Sequence, residues 1–124
     1  MATKNAALRD ALATYFGTLW NSGSLEIQNS ANTVLVSFTL GADAFADVAT
    51  GAIAANGVPI AGTAGNTGTA DHAVLKSTGG ATYQITALTV STSGAQVNID
   101  NLSINSGQTV NLTAFTWTES ATVS

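Results

Sequence analysis

At 124 residues, with 8% charged and 45% hydrophobic residues and a formal net charge of -4, the chain has the length of one domain and can bury a core without metal or disulfide staples. Cysteine is absent, which excludes a disulfide framework, a CxxC redox site and a thiolate zinc site. Lys4, Arg9 and Lys76 are spread along the sequence and form no basic patch for a phosphate backbone, and no run approaches the roughly 18 apolar residues that span a bilayer, so neither nucleic acid nor membrane is an expected partner.

Charged residues make up about a quarter of an ordinary soluble protein, so here Ser, Thr, Asn and Gly must cover the surface. Weakly charged surfaces of small side chains lose their water at low cost, which suits a chain packed against other chains. The same composition also suits a free-standing β-protein with a Thr/Ser-rich exposed face. The start of the chain lacks a charged segment followed by a continuous apolar run, so a soluble cytosolic product is expected.

The first predicted element is an amphipathic helix over residues 4–20, with Thr3 as its N-cap. Leu8, Leu12, Tyr15, Phe16, Leu19 and Trp20 fall on one stripe about 140° wide, expected to lie on the domain's own sheet. The other face carries Ala7, Asp10, Ala11, Thr14, Gly17 and Thr18, with one charge where an exposed helix carries several. Ala7, Ala11, Thr14 and Thr18 are therefore expected to approach a neighbouring chain. Asn21-Ser22-Gly23 stops the helix, with Gly23 in the left-handed conformation. Residues 1–23 thus read as a helix packed on the domain or on a neighbour, and 24–124 as a single β-domain.

Beyond Gly23 the period changes from 3.6 to 2. Leu25 and Ile27, then Val34, Val36, Phe38 and Leu40, predict a hairpin packed on one face and joined through residues 29–32. Residues 41–48 read as a loop anchored by Phe45. Residues 49–58 read as a weak strand broken at Asn56-Gly57 and ended by Pro59. Residues 61–68, AGTAGNTG, look too small-sided to hold a core and read as a surface loop. Two strands over 70–77 and 81–91 flank the corner Thr78-Gly79-Gly80. Tyr83 and Ile85 then lie in one phase and Leu88 and Val90 in the other, as Val110 and Leu112 do against Phe115 and Trp117; each slip predicts a bulge or a strand buried on both faces. Seven or eight short strands with frequent turn signals predict a mainly β, antiparallel sandwich or jelly-roll-like domain with one N-terminal helix. Leu8, Leu12, Phe16, Trp20, Phe38, Phe115 and Trp117 are its expected core anchors.

The chemistry-bearing residues are sparse. His72 is the sole histidine, and its neighbour Asp71 is not an expected dyad partner, because adjacent strand residues point to opposite faces. Asp43 and Asp47, four residues apart, are candidate cation ligands, but no DxDxDG loop surrounds them, and two solvated loop charges are the preferred reading. The glycines at 62, 65 and 68 lack the Lys-Ser/Thr of a P-loop. Asn101-Leu102-Ser103 and Asn111-Leu112-Thr113 match the glycosylation sequon, a match expected by chance in so Asn- and Thr-rich a chain. Trp20, Phe115 and Trp117 suit core or interface better than a sugar platform. No catalytic, metal or cofactor site is expected.

Residues 93–117, SGAQVNIDNLSINSGQTVNLTAFTW, alternate apolar and polar positions between Ser-Gly corners. Together with NAALRDALATYF at 5–16, GSLEIQNSANTVLVSFTL at 23–40 and DAFADVATGAIAANG at 43–57, in that order, they resemble a family of small structural proteins of tailed-phage virions. The chain departs from the family between Ile60 and Gly80, where ADHAVLKS stands in place of an aromatic-rich strand, so surface contacts there do not carry over. The resemblance implies a non-enzymatic virion component made in the host cytoplasm. Its expected job is a capsid decoration, or cement, protein on the capsid surface, bound to the major capsid protein as a homo-oligomer, a trimer in first place. A tail, neck or fibre-associated module and a carbohydrate-binding knob are the alternatives.

Overall fold

The computed structural model describes residues 3–49, 51–78 and 83–118; the corner at 79–80 lies outside them. Helix α1 spans Ala6–Thr18, capped by Asn5, whose side-chain Oδ1 accepts from the Leu8 N–H at 2.9 Å. Thr3 therefore lies before the cap. A short Asn side chain reaches back to the orphan N–H groups of the first turn, which is why it serves there. The residue with positive φ beyond the helix is Ser22, at 59°, and not Gly23. Gly23 is required for a different reason: a Cβ on it would collide with the Lys76 carbonyl oxygen and lie 2.9 Å from that of Trp20.

Eleven strands follow among the described residues. These are β1 Ser24–Gln28, β2 Val34–Thr39, β3 Phe45–Ala49, β4 Ala52–Ala55, β5 Ile60–Thr63, β6 Gly68–Thr69, β7 His72–Lys76, β8 Gln84–Ser91, β9 Val97–Ile99, β10 Ser103–Ile104 and β11 Thr109–Thr118. The main sheet runs β2-β1-β7-β8-β9-β11-β4-β3, with β5 also on β11, and β6 pairs with β10. The fold is mainly β with one N-terminal helix and a curled, sandwich-like sheet. Its pairings are antiparallel except at β8–β9, where Val90 faces Val97 and Ser91 faces Asn98 in parallel. The five residues between those strands are too few for a crossover; they bend instead, with Gly94 at φ 75°.

The alternation in the sequence sets which side chains meet. Leu25, Ile27, Phe38, Ala73, Leu75, Val97, Ile99, Val110 and Leu112 are completely buried. Both phase slips coincide with irregular pairing. Between β7 and β8 the register shifts between Ala73 and Leu75, with Ala87 at φ 60°. Between β11 and β9 it shifts between Leu112 and Ala114. Extra residues there turn Leu88 and Phe115 inward, at 2% and 1% exposure.

The segment read as a loosely held loop, 61–68, is packed instead. It contributes to β5 and β6, Ala64 is buried, and the Gly65 N–H donates to the Leu35 carbonyl at 2.9 Å. A Cβ on Gly62 would stand 2.9 Å from both the Ser37 carbonyl oxygen and Val36 Cγ2. Small residues here allow β5 to close against β2, so the sheet curls on itself. The β1–β2 hairpin is accordingly covered on more than one side: Leu35 and Val36, adjacent in sequence, are both buried.

Candidate functional site

Helix α1 packs on the β3–β4 hairpin through its small residues. Ala13 and Gly17 are buried, and a Cβ on Gly17 would lie 3.2 Å from Ile53 Cδ1 and 3.3 Å from Phe45 Cβ. At the rim of this contact the Thr14 hydroxyl donates to the Asp47 carboxylate, 3.0 Å to Oδ2 and 3.1 Å to Oδ1, and Asp10 Oδ1 accepts from the Gly51 N–H at 2.6 Å. Thr14 is thus tied to its own domain. Thr18 donates to the Tyr15 carbonyl at 2.6 Å, and Ala7 and Ala11 are exposed.

This packing divides the apolar stripe that the helical periodicity defines. Phe16, Leu19 and Trp20 turn toward the core, where Phe16 stacks on Trp117 with centroids 4.7 Å apart and meets Trp20 edge-on at 5.4 Å. Leu8, Leu12 and Tyr15 face outward, exposed by 47%, 38% and 68%. Leu8 and Leu12 are therefore not core anchors. A close approach between a helix and a sheet is set by whichever helix face has the smallest side chains, and that face is the one built around Ala13 and Gly17. The pair at i and i+4 was the signal in the sequence. Among the remaining expected anchors, Phe38, Trp20 and Phe115 are buried and Trp117 is partly buried. The outward Leu8-Leu12-Tyr15 row is the candidate functional surface: three large apolar groups presented on an element that is rigidly seated from behind.

A second grouping lies on the outer face of β1 and β7, where Gln28 pairs with His72 and Ser24 with Lys76. His72 Nδ1 lies 2.8 Å from Asp71 Oδ2 and its Nε2 2.9 Å from Gln28 Oε1. Gln28 Nε2 donates to Glu26 Oε1 at 3.2 Å, and Lys76 Nζ donates to Glu26 Oε2 at 3.1 Å. Asp71 is thus a partner of His72 after all. It precedes β7, so strand alternation does not govern its side chain. Both imidazole nitrogens are engaged, and the chain of contacts ties β1 and β7 together across their outer face.

The other polar candidates are engaged locally. The Asp47 carboxylate takes the Thr14 hydroxyl, while Asp43 presents its carbonyl to Asn56 Nδ2 at 3.0 Å. Among the described residues no group of three or more His, Asp or Glu side chains is placed to hold a metal ion. Asn101 Oδ1 accepts from the Ser103 N–H, and Asn111 donates twice to Asp100, from its side chain at 2.9 Å and its backbone at 3.0 Å. The side-chain amide first, then the backbone N–H, holds the Asp100 carboxyl below its ordinary range. Trp117 has one face against Phe16, which leaves less of the ring for a sugar than an open platform needs. These contacts support an apolar docking face and a set of polar staples. No protein-family model, curated protein or solved structure matches the chain.

Proposed function

We propose that this chain is a non-enzymatic structural component of a tailed-phage virion: a capsid decoration protein that binds the major capsid protein on the shell surface as a homo-oligomer. The assembly part of the reading rests on one observation, the outward row of Leu8, Leu12 and Tyr15 on a helix whose inner face is already filled. Leu8 and Leu12 are 47% and 38% exposed, so covering them fully would contribute roughly half of the 1.5–3 kcal/mol of a fully exposed Leu, and a row of them favours a partner. The virion part rests on the ordered sequence blocks that resemble the phage family. A chain that binds the assembled shell and not its free subunits stabilises that shell by mass action.

The test is copy number in purified virions, by quantitative mass spectrometry with a low-resolution density map. Hundreds of copies in register with the capsid lattice are expected. Absence from the particle overturns the virion reading, and a handful of copies at the neck or tail overturns the decoration reading in favour of a tail-associated module.

A further inference from the structure

Leu8, Leu12 and Tyr15 are spaced four and three residues apart, and the partly buried C-cap residue Leu19 follows four further on, an a/d-type spacing. The positions that flank the seam are Ala11 and Thr18 on one side and Arg9 and Phe16 on the other, so one flank is small and uncharged. The positions opposite it, Asp10, Ala13, Thr14 and Gly17, are the ones that hold the helix to its own hairpin. A seam of this kind is self-complementary, because knobs and holes repeat at the same spacing on an identical helix.

The ends of the helix argue for one orientation. The first turn carries no acidic residue and the last turn no basic one, so no oppositely charged side chain in the helix's own end turns offsets either end of the macrodipole. Side by side in the same direction, two such helices set like ends together; head to tail, each positive N-terminal end lies beside a negative C-terminal end.

Resting on the assembly reading above, we infer that the occupant of this face is a second copy of the chain, its α1 packed antiparallel on the first about a two-fold axis near residues 13 and 14. Leu12 of one copy meets Tyr15 of the other, twice, and Leu8 meets the exposed part of Leu19. A helix of this length is about 20 Å long. A seam of that length covers on the order of 300–400 Å² per partner, against about 800 Å² in a standard stable complex. The free dimer is therefore weak. Copies held side by side on a repeating surface gain the same contact at high effective concentration, where a weak two-fold link becomes fully occupied.

The experiment is sedimentation equilibrium on the isolated chain from low micromolar to about millimolar concentration, paired with disulfide trapping; the absence of native cysteine makes single-cysteine variants unambiguous. A reversible monomer–dimer equilibrium is expected, with Leu12→Glu raising the dissociation constant at least tenfold while its far-UV spectrum and melting temperature stay those of the parent. Mixed Leu12→Cys and Tyr15→Cys chains should form a disulfide dimer. Leu8→Cys alone should not, since its two copies lie about 16 Å apart along antiparallel axes, beyond the roughly 7 Å limit for bridging. A monomer at every concentration, a trimer, an unchanged constant in Leu12→Glu, or efficient trapping through Leu8→Cys overturns the proposal. Because this experiment contains no capsid, its failure leaves the virion reading standing, and absence from the virion leaves the dimer standing.

Discussion

Gly23 joins helix to sheet at a point where two backbones touch. Its N–H donates to the Trp20 carbonyl at 2.8 Å and its carbonyl accepts from Leu40 at 2.9 Å, while the Lys76 carbonyl fills the space a side chain would need. Gly23→Ala should therefore cost about 1–3 kcal/mol, the usual range for an overpacked site, read as a lower urea midpoint at unchanged slope; an unchanged midpoint would show that β7 can move aside. Asp100 supplies a pH handle. Its folded-state carboxyl is held below the ordinary value, so the pair it makes with Asn111 contributes stability that is complete above the unfolded carboxylate value of about 3.9. That contribution is lost as the pH falls through the lower folded-state value. In melts from pH 5 to pH 2, Asp100→Asn should lose less melting temperature than the parent over this range. Parallel curves for the two would remove Asp100 from the acid transition.

The helix separates two quantities that a sequence pattern merges, how apolar a residue is and whether its own domain buries it. Phe115→Ala removes a ring that is 1% exposed and meets Phe45 edge-on at 5.3 Å, and should cost about 3–5 kcal/mol. Trp117→Ala should cost less, since that residue is partly exposed and its main contact is the stack on Phe16. Leu12→Ala in the monomer should stay within about 0.5 kcal/mol, as at surface sites. Equal losses at Leu12 and Phe115 in urea melts would put the apolar row inside the fold. Strand phase was legible because the period of two leaves each side chain one of two directions, so each slip pointed to a bulge or a strand buried on both faces, and irregular pairing stands at both. The seat of the helix was not. Six large apolar residues outweigh Ala13 and Gly17 in any count of hydrophobicity, yet it is these two that are buried against the hairpin, which comes within 3.3 Å of where a Cβ on Gly17 would stand. The same oversight made residues 61–68 look loose, although a glycine facing another backbone marks tight packing as readily as freedom. The outward surface was thus written in the sequence as Leu8, Leu12 and Tyr15, spaced four and three apart, hidden inside a broader stripe.

Across the whole molecule, the ten residues of β11 pair with β5 through residues 109–112, with β9 through residues 112–115 and with β4 through residues 116–118. The strand that joins the most neighbours is thus the last one described. On a ribosome, a chain made as far as Gln108 would hold β4, β5 and β9 with unpaired edges and a core missing Val110, Leu112 and Phe115. Exposed edges of that kind template pairing between chains. Folding of this domain is therefore expected to be completed only after residues 109–118 are made, and nascent chains should depend on chaperone holding until β11 emerges. Chains released at Gln108 should be protease-sensitive and aggregate, whereas release beyond Thr118 should give the protected domain; protection of the shorter chain would show that the half built from β1, β2 and β7 folds by itself.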